Sequence, residues 1–258
     1  MRFVRYRVTN EEPSYGWISN DMVGNLTDSP LREYRRLDVS LKLTEVKLLS
    51  PVIPNKIIGV GRNYAEHVRE QNSEIPEYPI IFLKPPTSII GTGEIIRLPP
   101  QSQRVEHEAE LAVVIGKTGR WIPLEKAQQF IFGYTIGNDI TARDLQSRDG
   151  QWTRAKGFDT FCPLGPWIES DLDTADLLIT CHVNGKLRQM SSTKEMIFSI
   201  PQLITYISSI MTLEAGDVIL TGTPDGVDEL KEGDEIEISI DGIGTLKNRV
   251  RQDKTESR

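Results

Sequence analysis

The stretch Arg104-Val-Glu-His-Glu-Ala-Glu-Leu-Ala-Val-Val-Ile-Gly116 begins polar and ends as an unbroken apolar run. The run Leu111 to Ile115 is rich in β-branched residues and stops at a glycine, which is the pattern of a buried strand. Successive side chains of a strand point to opposite faces, so Glu106, Glu108 and Glu110 are expected to share one face. Three carboxylates in a row at the mouth of a buried strand repel one another. They call for a positive charge among them, and a hard cation with oxygen ligands is the simplest candidate.

The rest of the chain bounds what that strand belongs to. Its 258 residues suffice for one large domain, or for one domain with a small appendage. With 38% hydrophobic and 26% charged residues it reads as a globular protein of enzyme size. The net charge of −7, with no basic block, excludes a nucleic-acid partner. An anionic substrate then needs local positive charge inside an acidic shell. No stretch of about 18 apolar residues occurs, so no membrane partner is expected. Arg2, Arg5 and Arg7 interrupt any N-terminal signal core. Cys162 and Cys181 stand in unrelated contexts and read as reduced core thiols of a cytoplasmic protein.

Residues 1–50 read as a small β-rich domain, closed off by Pro51 and Pro54. Residues 51–250 form the main domain, and 251–258 a polar tail. Within the main domain, Lys56 to Gly61 is a short strand. Its Gly59-x-Gly61 lacks the third glycine of a dinucleotide loop, because Tyr64 takes that place. Asn63 is placed to cap a short helix running through Val68. On that helix His67 and Glu70 face each other, although a solvated surface pair is the usual fate of such spacing.

Other strands also end in chemistry-bearing residues. Lys84 closes an apolar strand before Pro85 and Pro86, aimed either at a cavity or at solvent. Asp139 closes the strand that starts at Ile131. The residues after it turn helical with Thr141 as cap, which puts Asp139, Arg143 and Gln146 on one face. Lys156 lies in a loop from Trp152 to Thr160. Asn184-Gly185 and Asp241-Gly242 mark hairpins. Pro123 to Phe130 and Ser199 to Met211 read as helices. Strands dominate, so the fold class is α+β, mainly β: a mixed sheet, sandwich or roll.

Six motifs, in this order, resemble the fumarylacetoacetate hydrolase superfamily. They are Gly-Val-Gly-Arg-Asn-Tyr-Ala-Glu-His at 59–67, Phe-Leu-Lys-Pro at 82–85, Glu-His-Glu-Ala-Glu-Leu at 106–111, Asn-Asp-Ile-Thr-Ala-Arg-Asp-Leu-Gln at 138–146, Lys-Gly-Phe-Asp at 156–159 and Thr-Gly-Thr-Pro at 221–224. The motifs are nearest those of its acylpyruvate hydrolase, oxaloacetate decarboxylase and 2-hydroxyhepta-2,4-diene-1,7-dioate isomerase branch. The resemblance implies a mixed β-roll catalytic domain, a homodimer, and Mg²⁺ or Mn²⁺ held by Glu108, Glu110 and Asp139. It leaves Glu106 outside the ligand set. It implies that Lys156 and Arg143 hold the anionic 2-oxo acid, with Gln146, Thr223 and Lys84 also binding substrate. His67 and Glu70 match the pair that activates water, and Lys156 joins them as a catalytic residue.

The activity so implied is metal-dependent hydrolysis of a C–C bond in an acylpyruvate. The substrate offers the metal its carboxylate and carbonyl oxygens, and the bond-breaking electrons delocalise into an enolate held there. Glu70 orients His67, which takes a proton from the attacking water. The same enolate serves decarboxylation, of oxaloacetate or 5-oxopent-3-ene-1,2,5-tricarboxylate. It also serves the C3-to-C5 proton shift of the isomerase in aromatic catabolism. A ligand-binding protein without turnover is the reading from another class. Thiol and serine nucleophiles are disfavoured: Cys162 precedes Pro163, and no Gly-x-Ser-x-Gly elbow occurs. Cys181-His182 point to opposite strand faces, and His107, on the other face from the glutamates, reads as structural.

Overall fold

A computed structural model describes residues 1–253. Its largest sheet has 12 strands. The strand Ala109–Ile115 lies inside it, antiparallel to Ile131–Asn138 on one side and to Val218–Leu220 on the other. Every residue of Ala109–Ile115 is buried, as a β-branched strand covered on both faces should be. The two-residue period divides it: Leu111, Val113 and Ile115 enter one hydrophobic cluster, Ala112 and Val114 another.

The sheet continues from Val218–Leu220 through the parallel strand Ile57–Gly61 to the edge strand Ile80–Lys84. In the other direction Ile131–Asn138 pairs with Cys162–Glu169, which pairs with Arg2–Arg7. Ser14–Ser19, Met22–Leu26 and Arg36–Lys42 follow in order, so the N-terminal strands extend this sheet.

A second sheet of five strands contains the expected hairpins. Leu178–Val183 and Lys186–Ser192 are joined by Asn184 and Gly185, both with positive φ, as a type I′ turn requires. Glu235–Ile240 pairs with Gly244–Gln252, and Ile95–Leu98 completes the sheet. The last long strand runs through Gln252, two residues into the expected polar tail; residues 254–258 of that tail lie outside the described residues. The larger cluster joins this sheet, the helix Ile200–Ile210 and the inner face of the main sheet.

The helix expected from Pro123 to Phe130 forms, as a 3₁₀ helix over Leu124–Phe130. Two local expectations are corrected. The Trp152 loop contains a short helix, Thr153–Lys156. Thr141 does not cap a helix: Thr141–Ala142 pairs as a strand with Val105–Glu106, and the helix begins at Arg143. Among the described residues, no helix is long and apolar enough to cross a membrane.

Candidate active site

The polar ends of neighbouring strands meet at one cavity of about 360 Å³. Glu106 closes the short strand Val105–Glu106, Glu108 lies in the break after it, and Glu110 is the second residue of Ala109–Ile115. The break is held from both sides. Asn138 Oδ1 accepts the Glu108 N–H at 3.0 Å, and the Glu108 carbonyl accepts the Asp139 N–H at 2.9 Å. Gln189 Oε1 accepts the Ala109 N–H at 3.1 Å and lies 2.9 Å from His107 Nδ1. His107 is thus a buried structural residue against the second sheet, with its other nitrogen unpartnered.

Glu108, Glu110 and Asp139 offer carboxylate oxygens that all lie within 4.8 Å of one another. All three are at most 5% exposed. Lys156 Nζ donates to Glu108 at 2.7 Å and Asp139 at 2.6 Å. Lys84 Nζ donates to the other Asp139 oxygen at 2.5 Å and to the Ile140 carbonyl at 3.3 Å. Lys84 therefore points inward but sits behind Asp139, away from the cavity wall.

Arg143 spans the opposite side. Its Nε and Nη2 donate to Glu106 at 2.6 Å and Glu108 at 2.5 Å, and its Nη1 to Gln146 at 2.5 Å. Arg104 also pairs with Glu106 at 2.6 Å. Two guanidiniums thus neutralise Glu106, and it stands apart from the cluster of three.

The charges are unevenly shared. Burial pushes Glu108 upward, but Lys156 and then Arg143 outweigh it and hold the carboxyl well below the usual range. Glu110 goes the other way. Burial first, then repulsion from Asp139 and Glu108, raise it well above the ordinary value. Its hydrogen-bond partner is the Gly222 N–H, at 2.7 Å. Lys156 is raised despite burial, because Asp139 and Glu108 favour its charged form. A buried carboxylate that pairs with no cation among the described residues, beside two others, is the donor set of a hard divalent cation, and these residues fit one.

The glycines explain themselves here. A Cβ at Gly59 would lie 2.2 Å from the Phe82 ring, and one at Gly61 would lie 2.5 Å from Trp152. Phe82 in turn lies under Lys156 Nζ, 5.0 Å from the ring centre. Gly59 and Gly61 thus make room for the aromatic floor of the site. Gly222 has φ of +98°, and a Cβ there would stand 2.7 Å from Asn63. Asn63 is not the expected helix cap. It donates to the Thr221 and Phe198 carbonyls and accepts the Phe198 N–H, which ties the Thr-Gly-Thr-Pro turn to the start of the lip. Thr223 Oγ1 lines the cavity while donating to the Ala109 carbonyl at 3.0 Å.

The lip is the helix Ala65–Glu70. His67 is buried on it, its Nδ1 3.2 Å from Glu70. Glu70 also accepts the Gly226 N–H at 3.1 Å. His67 Nε2 lies 2.8 Å from the Gln71 amide nitrogen. An amide nitrogen only donates, so Nε2 is the acceptor and Nδ1 carries the proton toward Glu70. Burial lowers His67 below its ordinary value, although Glu108 and Glu70 pull the other way. The imidazole is therefore a neutral base beside the acidic cluster. Gln71, Asn138 and Gln189 were not singled out in the sequence, since nothing local marks a single amide as an orienting group. Neither thiol lines the cavity: both are buried and free, and burial pushes Cys162 up to about 12.

The family model for the fumarylacetoacetate (FAA) hydrolase C-terminal region matches residues 56–251, and that for an Rv2993c-like N-terminal region matches residues 1–51. The chain is 48% identical over 223 residues to oxaloacetate tautomerase YisK of Bacillus subtilis, covering 81% of this chain and 74% of that one. It superposes with a TM-score of 0.92, at 45% identity, on 5-carboxymethyl-2-hydroxymuconate delta-isomerase from Mycobacterium smegmatis, covering 98% of this chain and all of that one (100%). It also resembles maleylpyruvate hydrolase from Sphingobium sp. SYK-6, solved with manganese(II) ion and pyruvate, with a TM-score of 0.82 and 30% identity over 98% of this chain and 100% of that one. This chain belongs to the fumarylacetoacetate hydrolase family. The members it resembles are enzymes of tautomerase, isomerase and hydrolase type.

Proposed function

We propose that this chain moves a proton at the carbon beside the carbonyl of a small 2-oxo acid, with keto–enol tautomerisation of oxaloacetate first in line. Mg²⁺ or Mn²⁺ would be held by Glu108, Glu110 and Asp139, and when bound would polarise the carbonyl and acidify the neighbouring C–H. The observation that carries this reading is His67: buried, neutral, its proton fixed on Nδ1 by Glu70 and its lone pair on Nε2.

His67 Nε2 takes a proton from C3, the C–H electron pair moves toward the carbonyl, and the proton returns to the carbonyl oxygen as enol. Lys156 uses two of its three donors on Glu108 and Asp139, which leaves the third for the substrate carboxylate. Arg143 keeps Glu108 ionised and aimed. The likeness to an oxaloacetate tautomerase and an isomerase supports placing proton transfer ahead of the acylpyruvate hydrolysis that the motifs suggested first.

Hydrolysis is the second reading, since the same pair can take its proton from water, and the likeness to a maleylpyruvate hydrolase favours it. The test is to mix Mn²⁺-loaded protein with enol oxaloacetate and follow the decay of enol absorbance, then assay acetylpyruvate cleavage and pyruvate release. Acceleration of enol decay without pyruvate release supports the proposal. Decay at the buffer rate, with acetylpyruvate cleaved, makes the chain a hydrolase.

A further inference from the structure

Among the described residues, the cavity wall carries one arginine or lysine whose charge is not spent on a carboxylate of the protein. Arg104 is committed to Glu106, Arg143 to Glu106 and Glu108, and Lys156 to Glu108 and Asp139. Arg62 also lines the cavity, yet it forms no ion pair with any carboxylate of the described residues. Its Nε is buried and has no hydrogen-bond partner among the described residues. A buried N–H left without an acceptor is costly, and a guanidinium is shaped to meet a carboxylate with two donors.

The backbone is arranged to keep it there. Arg62 has φ of 57°, in the left-handed region that residues with a side chain seldom enter. Its neighbours hold that conformation: Gly61 is pressed against Trp152, and Asn63 is clasped to Phe198 and Thr221. Strain of this kind persists only where the surroundings enforce it, and it gathers at ligand sites. Arg62 sits where the strand Ile57–Gly61 passes into the lip, and it lines the cavity together with Trp152.

We propose that Arg62 anchors a second carboxylate, at the far end of the substrate, so that the site selects 2-oxo dicarboxylates over 2-oxo acids with an uncharged tail. This rests on the reading of the site as one for 2-oxo acids. The acidic cluster with its cation takes the 2-oxo carboxylate end. Among the described residues, Arg62 supplies the one wall cation left for the other end.

The experiment compares dissociation constants of pyruvate, with one carboxylate, and oxaloacetate, with two, by calorimetry on Mn²⁺-loaded full-length protein. Wild type should bind oxaloacetate more tightly. Arg62→Met should weaken oxaloacetate about 10–100-fold, the range of a charged hydrogen bond, and change pyruvate less than about twofold. Arg62→Lys should recover part of the loss, and its thermal melt checks that the lip still folds. Equal weakening of both ligands, or no weakening of either, overturns the subsite alone. Wild-type protein that binds neither ligand overturns the 2-oxo acid reading and the subsite with it.

Discussion

The floor and the lip of the cavity are built on opposite plans. On the floor and just behind it, Glu108, Glu110, Asp139, Lys156 and Lys84 are each at most 5% exposed. They come from strand ends and the short helix Thr153–Lys156, and the charges of all but Glu110 are joined across the chain. The lip is a six-residue helix with Glu66, Arg69 and Glu70 exposed and only His67 and Val68 buried. Its functional contacts are local, at spacings of three and four, apart from the Gly226 N–H on Glu70. Fixed charge needs a rigid frame, because groups preorganised in a dry site do not have to reorient during the reaction. A proton-moving group can ride on a segment held by fewer bonds, which opens at lower cost to admit substrate. Under the proposed function, electrostatics falls to the sheet and proton transfer to the lip.

The largest effect separates these two jobs. His67→Ala should lower turnover by about 10²–10⁴-fold and leave Mn²⁺ affinity unchanged by calorimetry. Parallel loss of both would mean that the lip also builds the floor. Next is Glu110→Gln, which should weaken Mn²⁺ by more than about 100-fold, beyond the loss of an outer-shell partner. It should also flatten the metal-free stability profile. Glu110 is raised in the folded state, so its contribution is full below the ordinary 4.5 and is lost as pH climbs through the raised value. Metal-free wild type should thus melt lower as pH rises from about 4.5, and Glu110→Gln should not.

A third effect concerns pH. His67 lies below its ordinary 6.5, so the neutral base is present at neutral pH. The acid limb of kcat/KM should fall about tenfold per unit only once pH drops below that lowered value. Glu70→Gln removes a carboxylate that favours imidazolium, so the limb should move to lower pH. An unmoved limb would sever Glu70 from His67.

The carboxylates of the floor were legible in the sequence, its lysines only through the resemblance and the lip only partly, for a physical reason. A strand announces itself by local alternation and burial, so the row ending in Glu110 and the strand that stops at Asn138, one residue before Asp139, could be placed from residues 104–139 alone. What the alternation missed was the break at His107 and Glu108, because Asn138 and Gln189 make it from other strands. Asn63 carried a cap signal, but its amide went to Thr221 and Phe198, far along the chain. Thr141 carried another, and sheet pairing with Glu106 won. Gln71 carried no signal, since its meaning comes only from where His67 turns its lone pair.

The smallest effect tests whether position on the lip, and not spacing, makes a pair functional. Glu66 and Arg69 form an ion pair three residues apart on the same helix as His67 and Glu70. Both are mostly exposed, at 64% and 71% of their side chains, whereas the His67 side chain is 4% exposed. Water screens the outer pair, so it should contribute no more than about 0.5 kcal/mol. Glu66→Ala should therefore shift the melting midpoint only slightly and leave kcat and KM unchanged. The inner pair has the same spacing and a carboxylate of similar reach, but its imidazole is dry and faces the acidic cluster. If Glu66→Ala cost as much activity as Glu70→Gln, the lip would depend on helix stability and not on the buried base. In that case the division between a fixed floor and a proton-moving lip would be lost.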